Sequence, residues 1–304
     1  MGAPPRQVGR GYGPGMEQRS QTVNGVEIAW LESGDGPPCL MLHGLGGDGA
    51  PSFVPVMEHV TGRTCFAPWA RGHGPSGRPG RYLIEDYGAD VAAFIDDVIG
   101  EPVPVIGFSL GTLAAAWVAT SRPELVTGLF LEDSPLMVIR DPERHPHETY
   151  QQLFPAMSAI ARGVQQDGHD AQWAAQEVAK LALTAPTLDG TFGDVMPPEA
   201  IAFMASQIMG NDPAVTEPAT TLPTAELAAS LNPDDLAGIS CPTHLVVGNW
   251  DLGGSCPPQD LERWLELIPH ANHRTFPDTG HGIRIAPHTL PGYLEELDRF
   301  LASL

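Results

Sequence analysis

The chain has 304 residues, 42% of them hydrophobic, enough to bury a large core and suited to one domain carrying a sizeable insertion. Its 37 acidic residues against 16 basic ones give a net charge of −21, which argues against nucleic acid or an anionic membrane as partner, since both would repel it. No stretch is long and apolar enough to span a bilayer.

Residues Met1 to Gln18, rich in Gly, Pro and Arg, lack the apolar segment of a secretory signal, so residues 1–19 are expected to form a flexible tail. Order is expected from about Ser20, where Asn24-Gly25, a dipeptide suited to the positive φ values of a two-residue hairpin, separates Thr22-Val23 from Val26 to Trp30. Cys39 to Leu42 reads as a short apolar strand running into His43-Gly44-Leu45-Gly46-Gly47, and Thr64 to Ala67 as another ahead of Arg71-Gly72-His73-Gly74. Ile84 to Ile99 carries apolar residues at helical spacing; Val103 to Phe108 then reads as a strand, Ser109 to Thr120 as a helix and Val126 to Leu131 as a strand. From about Pro135 to Ser240 the strand signal gives way to Met- and Ala-bearing helical segments broken at Ala185-Pro186 and Pro197-Pro198, the pattern of an inserted helical cap. Alternation resumes with a strand at Thr243 to Val247, a helix at Pro258 to Leu267, a short strand at His273 to Phe276 and a helix from about Leu290 to Leu301. Such alternation implies an α/β protein with a doubly wound, mostly parallel sheet, its core domain spanning 20–135 and 241–304 and its cap 136–240.

The four cysteines form no C-x-x-C pair, and Cys39 and Cys65, in apolar strands, are expected as buried free thiols. Cys241 and Cys256 could approach one another, but a disulfide is not expected in a chain without an export signal, and the cytoplasm is the expected compartment.

Gly107-Phe108-Ser109-Leu110-Gly111 is a G-x-S-x-G pentapeptide between an apolar strand and an Ala-rich helix. That setting places Ser109 on a tight strand-to-helix turn, with glycines where a Cβ would strike the neighbouring strand or helix. A serine hydroxyl is a poor nucleophile at neutral pH and needs a base, itself oriented by a carboxylate. His281, glycine-flanked in Asp278-Thr279-Gly280-His281-Gly282 beyond the last short strand, is the expected base, whereas His145, His147 and His169 sit in polar, solvated stretches. Two strand ends offer the acid: Asp133, after Glu132, and Asp251, after Gly248-Asn249-Trp250. An oxyanion hole needs two backbone N–H groups, one expected from Leu110 and the other from the Gly44-Leu45 turn.

In this order His43-Gly44, Arg71-Gly72-His73-Gly74-Pro75-Ser76, the serine elbow and Gly280-His281 resemble the α/β-hydrolase superfamily over almost the whole chain after the tail. The resemblance implies an eight-stranded sheet with a cap inserted between its sixth and seventh strands. Ser109 sets the chain apart from the dehalogenase and epoxide-hydrolase branches, which place Asp there, and Trp69 departs from the family's usual Asp two residues before Arg-Gly. A narrower resemblance, through Arg81-Tyr82, Asp86-Tyr87 and Leu131-Glu132-Asp133-Ser134-Pro135-Leu136, is to the subgroup containing the zearalenone lactonases. It implies Asp133 as the acid, whereas the broader pattern G-x-x-D implies Asp251, and both remain candidates. The function implied is a serine hydrolase of an ester or lactone, with no metal and no organic cofactor. Met157, Trp173 and Phe203 of the cap are expected to wall a pocket for a hydrophobic small molecule. The alternatives are a carbon–carbon bond hydrolase or perhydrolase using the same triad, and a non-catalytic ligand receptor.

Overall fold

Asn24 and Gly25 adopt the expected positive φ, 49° and 76°. Their turn joins β2 (Met16–Val23) to β3 (Val26–Ser33) in continuous antiparallel register. The computed structural model describes residues 6–7, 12–13, 15–136, 148–183, 185, 188–218 and 230–304; His145, His147 and Pro186 lie outside them. β2 begins inside the stretch expected as tail, because Met16 is buried and pairs with Ser33 at the far end of β3. Arg6–Gln7 adds a two-residue strand, β1, against Arg19 and Ser20.

β4 (Pro38–Leu42), β5 (Thr64–Pro68), β6 (Val103–Phe108), β7 (Val126–Glu132), β8 (Thr243–Gly248) and β9 (Asn272–Phe276) complete a nine-stranded sheet. Its order is β1-β2-β3-β5-β4-β6-β7-β8-β9, parallel from β5 onward. The strand beyond the expected eight is β1. Among the described residues the α-helices are α1 (Val54–His59), α2 (Ile84–Phe94) and α3 (Leu110–Ser121), then α4 (Glu148–Gln165), α5 (Ala171–Ala179), α6 (Phe192–Val195) and α7 (Pro198–Gly210) of the insertion, and finally α8 (Pro258–Leu267) and α9 (Leu290–Ala302).

Alternate residues of each central strand feed two cores, as the period of two in a strand requires. Leu40, Leu42, Val105, Leu129, Leu131 and Leu245 pack with Val91 of α2, Leu113 of α3 and Trp264 of α8. Cys39, Met41, Ile106, Phe130 and Val246 pack with Met57 of α1 and Leu297 of α9. Both sheet faces are thus covered, and the strand ends of β4, β6, β7, β8 and β9 open on one edge.

The insertion has a core of its own, in which Met157 and Ile160 of α4 meet Ala174 and Val178 of α5 and Ile201 and Ile208 of α7. Its far end does not belong to that core. Leu231, Leu236 and Ile239, inside the stretch expected as cap, are buried in the sheet domain's own cluster. Cys39, Cys65, Cys241 and Cys256 are all free thiols, and only Cys241 is not fully buried.

Candidate active site

Ser109 stands between β6 and α3 with φ 51° and ψ −117°, a conformation that L residues rarely adopt. The flanking glycines are required by contact: a Cβ on Gly107 would lie 2.7 Å from the Gly111 carbonyl oxygen, and one on Gly111 only 2.1 Å from the Leu42 carbonyl oxygen. The backbone here passes too close to itself for any side chain, and the strain falls on the serine between.

The loop after β9 brings His281 to the same edge. A Cβ on Gly280 would lie 2.1 Å from the Leu252 carbonyl oxygen, so glycine is needed for this loop to pass beneath the turn that follows β8. His281 Nδ1 lies 2.7 Å from Asp133 Oδ2. Asp133 follows β7 with φ 50° and is fully buried. Its carboxylate also accepts the Gly248 N–H at 3.0 Å and the Ser255 N–H at 2.6 Å, which fixes its plane and offsets its desolvation. Ser255 Oγ is 2.8 Å from the same His281 nitrogen. With its proton on Nδ1 facing the carboxylate, the ring's basic atom is Nε2.

Asp251, the other candidate acid, is exposed on the single turn Trp250–Leu252, whose N–H donates to Asn249 Oδ1 at 2.9 Å. The Asn249 cap turns Asp251 outward. The G-x-x-D position therefore serves a turn here, and the strand end that meets His281 is that of β7.

Behind His281, the Phe108 ring lies 4.6 Å away, and the Arg284 guanidinium sits 4.0 Å over Phe108 and 4.3 Å over Phe53. Arg284 is buried and donates to Asp48 at 2.7 Å, Glu132 at 3.0 Å and Ser52 at 2.8 Å. Burial raises the Glu132 carboxyl despite Arg284. Burial also pushes Asp48 up, but Arg284, His43 and its hydrogen bonds outweigh it and hold Asp48 low.

The loop after β4 is pinned peptide by peptide. The Gly44 N–H donates to Asp48 at 3.0 Å, so it is occupied, contrary to its expected place in the oxyanion hole. Gly44 is glycine for another reason: a Cβ there would lie 2.9 Å from the Phe108 ring and 3.2 Å from Ser109 Cβ. His43 Nδ1 lies 2.7 Å from the Gly44 carbonyl oxygen while its Nε2 accepts the Ala70 N–H at 2.9 Å. The Gly46 N–H donates to His73 Nε2 at 3.2 Å, with His73 Nδ1 2.9 Å from the Arg71 carbonyl oxygen. Both rings are thus neutral with the proton on Nδ1. Burial lowers each pKa, that of His73 to about 3 with help from nearby His43. Among the described residues, the Leu45 N–H and the helix-opening Leu110 and Gly111 N–H groups lie beside Ser109 with no protein acceptor.

Of the expected pocket residues, Met157 meets this loop: a Cβ on Gly46 would lie 2.9 Å from its Sδ. Trp173 instead stacks on His169, with ring centroids 4.1 Å apart, and packs over Gly163 within the insertion. Phe203 is half-buried on α7 beside Met204, whose Cγ would lie 3.1 Å from a Cβ on Gly47. Sequence reasoning missed Asp48, Ser255 and Arg284. Of these only Asp48, four residues beyond Gly44 in a glycine-rich turn, carried a local signal.

A family model described as "Alpha/beta hydrolase family" matches residues 39–292. The chain belongs to this family. Among curated proteins, this α/β-hydrolase is 30% identical over 264 residues to the pimeloyl-[acyl-carrier protein] methyl ester esterase of Chromobacterium violaceum, covering 82% of this chain and 88% of that one. Among solved structures it is similar to the enol-lactonase of Burkholderia xenovorans LB400, with a TM-score of 0.68, 18% identity and coverage of 93% and 99%. It is also similar to a thermophilic esterase from Thermogutta terrifontis, with a TM-score of 0.67, 22% identity and coverage of 94% and 98%. These two likenesses carry the fold of the hydrolase and no more.

Proposed function

We propose that this hydrolase cleaves a carboxylic ester or lactone of a hydrophobic small molecule through an acyl-enzyme. Ser109 Oγ attacks the carbonyl carbon as its proton passes to His281 Nε2, and Asp133 holds the imidazole and stabilises the imidazolium. The Leu45 and Leu110 N–H groups receive the developing oxyanion. Collapse expels the alcohol oxygen, which takes the proton from His281; water then repeats the sequence on the acyl-Ser109 and releases the acid. The observation that carries this reading is the 2.7 Å contact between His281 and buried Asp133 on the edge where Ser109 holds its strained turn. Met157 and Met204 lie against Gly46 and Gly47, an apolar cover over the oxyanion loop that favours an apolar acyl or alcohol group. The free thiols favour a reducing compartment, the cytoplasm.

Hydrolysis of p-nitrophenyl butyrate and of a macrocyclic lactone by wild type, Ser109→Ala, Asp133→Asn and Asp251→Asn tests it. Ser109→Ala is expected to abolish turnover, Asp133→Asn to lower kcat by roughly 10³- to 10⁴-fold, and Asp251→Asn to stay within about threefold of wild type. An inert wild type, or a Ser109→Ala variant as active as wild type, overturns the reading.

A further inference from the structure

Four peptide planes run from His43 to Gly47, and a side chain grips each of them. Asp48 holds the His43–Gly44 plane through its N–H, His43 the Gly44–Leu45 plane through its carbonyl, and His73 the Leu45–Gly46 plane through its N–H. The Gly46–Gly47 plane is held through its carbonyl by Asn211 Nδ2. Asp48, His43 and His73 belong to the sheet domain. Asn211 belongs to the insertion, as the residue that ends α7.

Asn211 is placed for this. It is 3% exposed, its Oδ1 accepts the Gly74 N–H at 3.1 Å, and its carbonyl accepts Gln165 Nε2 at 2.7 Å. The next residue continues the clasp: the Asp212 N–H donates to the Gly72 carbonyl at 2.7 Å, and Tyr82 OH donates to Asp212 Oδ2 at 2.5 Å. The end of α7 is therefore bolted to the loop after β5, while a single amide hydrogen reaches on to the loop after β4.

We propose that Asn211 is a positioning residue for the oxyanion hole, so that the seating of α7 sets the aim of the Leu45 N–H. The inference rests on the hydrolase reading above. A trans peptide is stiff, so freeing the Gly46–Gly47 plane lets Gly46, at φ 75°, relax and leaves the planes before it, the Leu45 N–H among them, to the His73 and His43 contacts alone.

Asn211→Asp keeps the shape and the acceptor for Gly74 but loses the donor to Gly46, and Asn211→Ala loses both. With p-nitrophenyl butyrate at pH 8, both variants are expected to lower kcat about tenfold with KM within about twofold, and to slow phosphonylation of Ser109 by a phosphonate ester in proportion. Amide exchange at Gly46 and Gly47 is expected to quicken in both, with Ile106 and Leu129 unchanged, showing that the sheet domain remains folded. A rise in KM at constant kcat, or an Asn211→Asp variant with wild-type kcat, overturns the proposal. Exchange needs no turnover: if the wild type proves inert, the hydrolase reading falls, and unchanged exchange at Gly46 rejects the role of Asn211 independently.

Discussion

Besides Asn24 of the hairpin, Ser109 and Asp133 are the non-glycine residues with positive φ among those described. Each such conformation costs on the order of 1–3 kcal/mol, and here both fall on the residues proposed as nucleophile and acid. His73 shows how the surroundings hold the loop beside them. Its Nε2 must stay unprotonated to accept the Gly46 N–H, and burial lowers its pKa from 6.5 to about 3. Because the folded pKa lies below the unfolded one, the stabilisation is complete above pH 6.5 and is lost as pH falls toward 3. At pH 5 the loss is about 2 kcal/mol. Urea denaturation of wild type and His73→Gln at pH 7 and pH 5 checks this. The variant is expected to lose about 2 kcal/mol less than wild type over the interval, and equal losses would show that His73 does not titrate in this way. Ser109 and His281 were legible because glycines bracket both, and at Gly107, Gly111 and Gly280 the contacts that forbid a Cβ leave a local mark in sequence. Choosing between Asp133 and Asp251 was not, since a strand-end Asp reads the same whether it turns inward or caps a turn. Asn211 reaches Gly46 across 165 positions of sequence, and no local pattern encodes such a contact.

At the scale of elements, the site depends on how closely β4, β6 and α3 approach. Gly111 at the start of α3 lies against the end of β4, where a Cβ would come within 2.1 Å of the Leu42 carbonyl oxygen, a backbone atom that cannot swing aside. Gly111→Ala is expected to cost more than about 3 kcal/mol. Gly238→Ala, at a position with nothing within 4 Å of the added carbon, is expected to cost less than about 0.5 kcal/mol. Thermal melts of the two proteins decide it, and a Gly111→Ala melt near wild type would refute the close approach. Arg284 works on the same scale. It joins the loop after β9 to Glu132 of β7 and to Asp48 beyond β4, so three loops that present site groups share one buried cation. From β4 to β9 the strands lie within about a residue of their expected bounds because their apolar periodicity is strong, whereas β2 starts earlier than expected and α2 ends at Phe94, short of the expected Ile99. The insertion resolved only as "helical", since Pro and Gly punctuate it and its far end packs on α3's side of the sheet rather than on itself.

At the scale of the whole molecule, the sheet is assembled from both ends of the chain, with β8, β9 and α9 closing what β4 to β7 begin. This much followed from the alternation of elements, whereas the addition of β1 did not, because two residues in a Gly- and Pro-rich stretch carry no period. The same closure explains where the thiols lie. Cys39 and Cys65 sit opposite one another on β4 and β5, and Cys256 lies beside the buried acid, with its pKa raised by burial and by the charge of Asp133. A disulfide-exchange reagent is therefore expected to modify Cys241 alone in the native protein and all four thiols in denaturant. Rapid native modification of more than one thiol would contradict the packing. The three sealed sulfurs give the molecule an internal clock: under native conditions their slow labelling counts the moments at which the sheet opens, without any added probe.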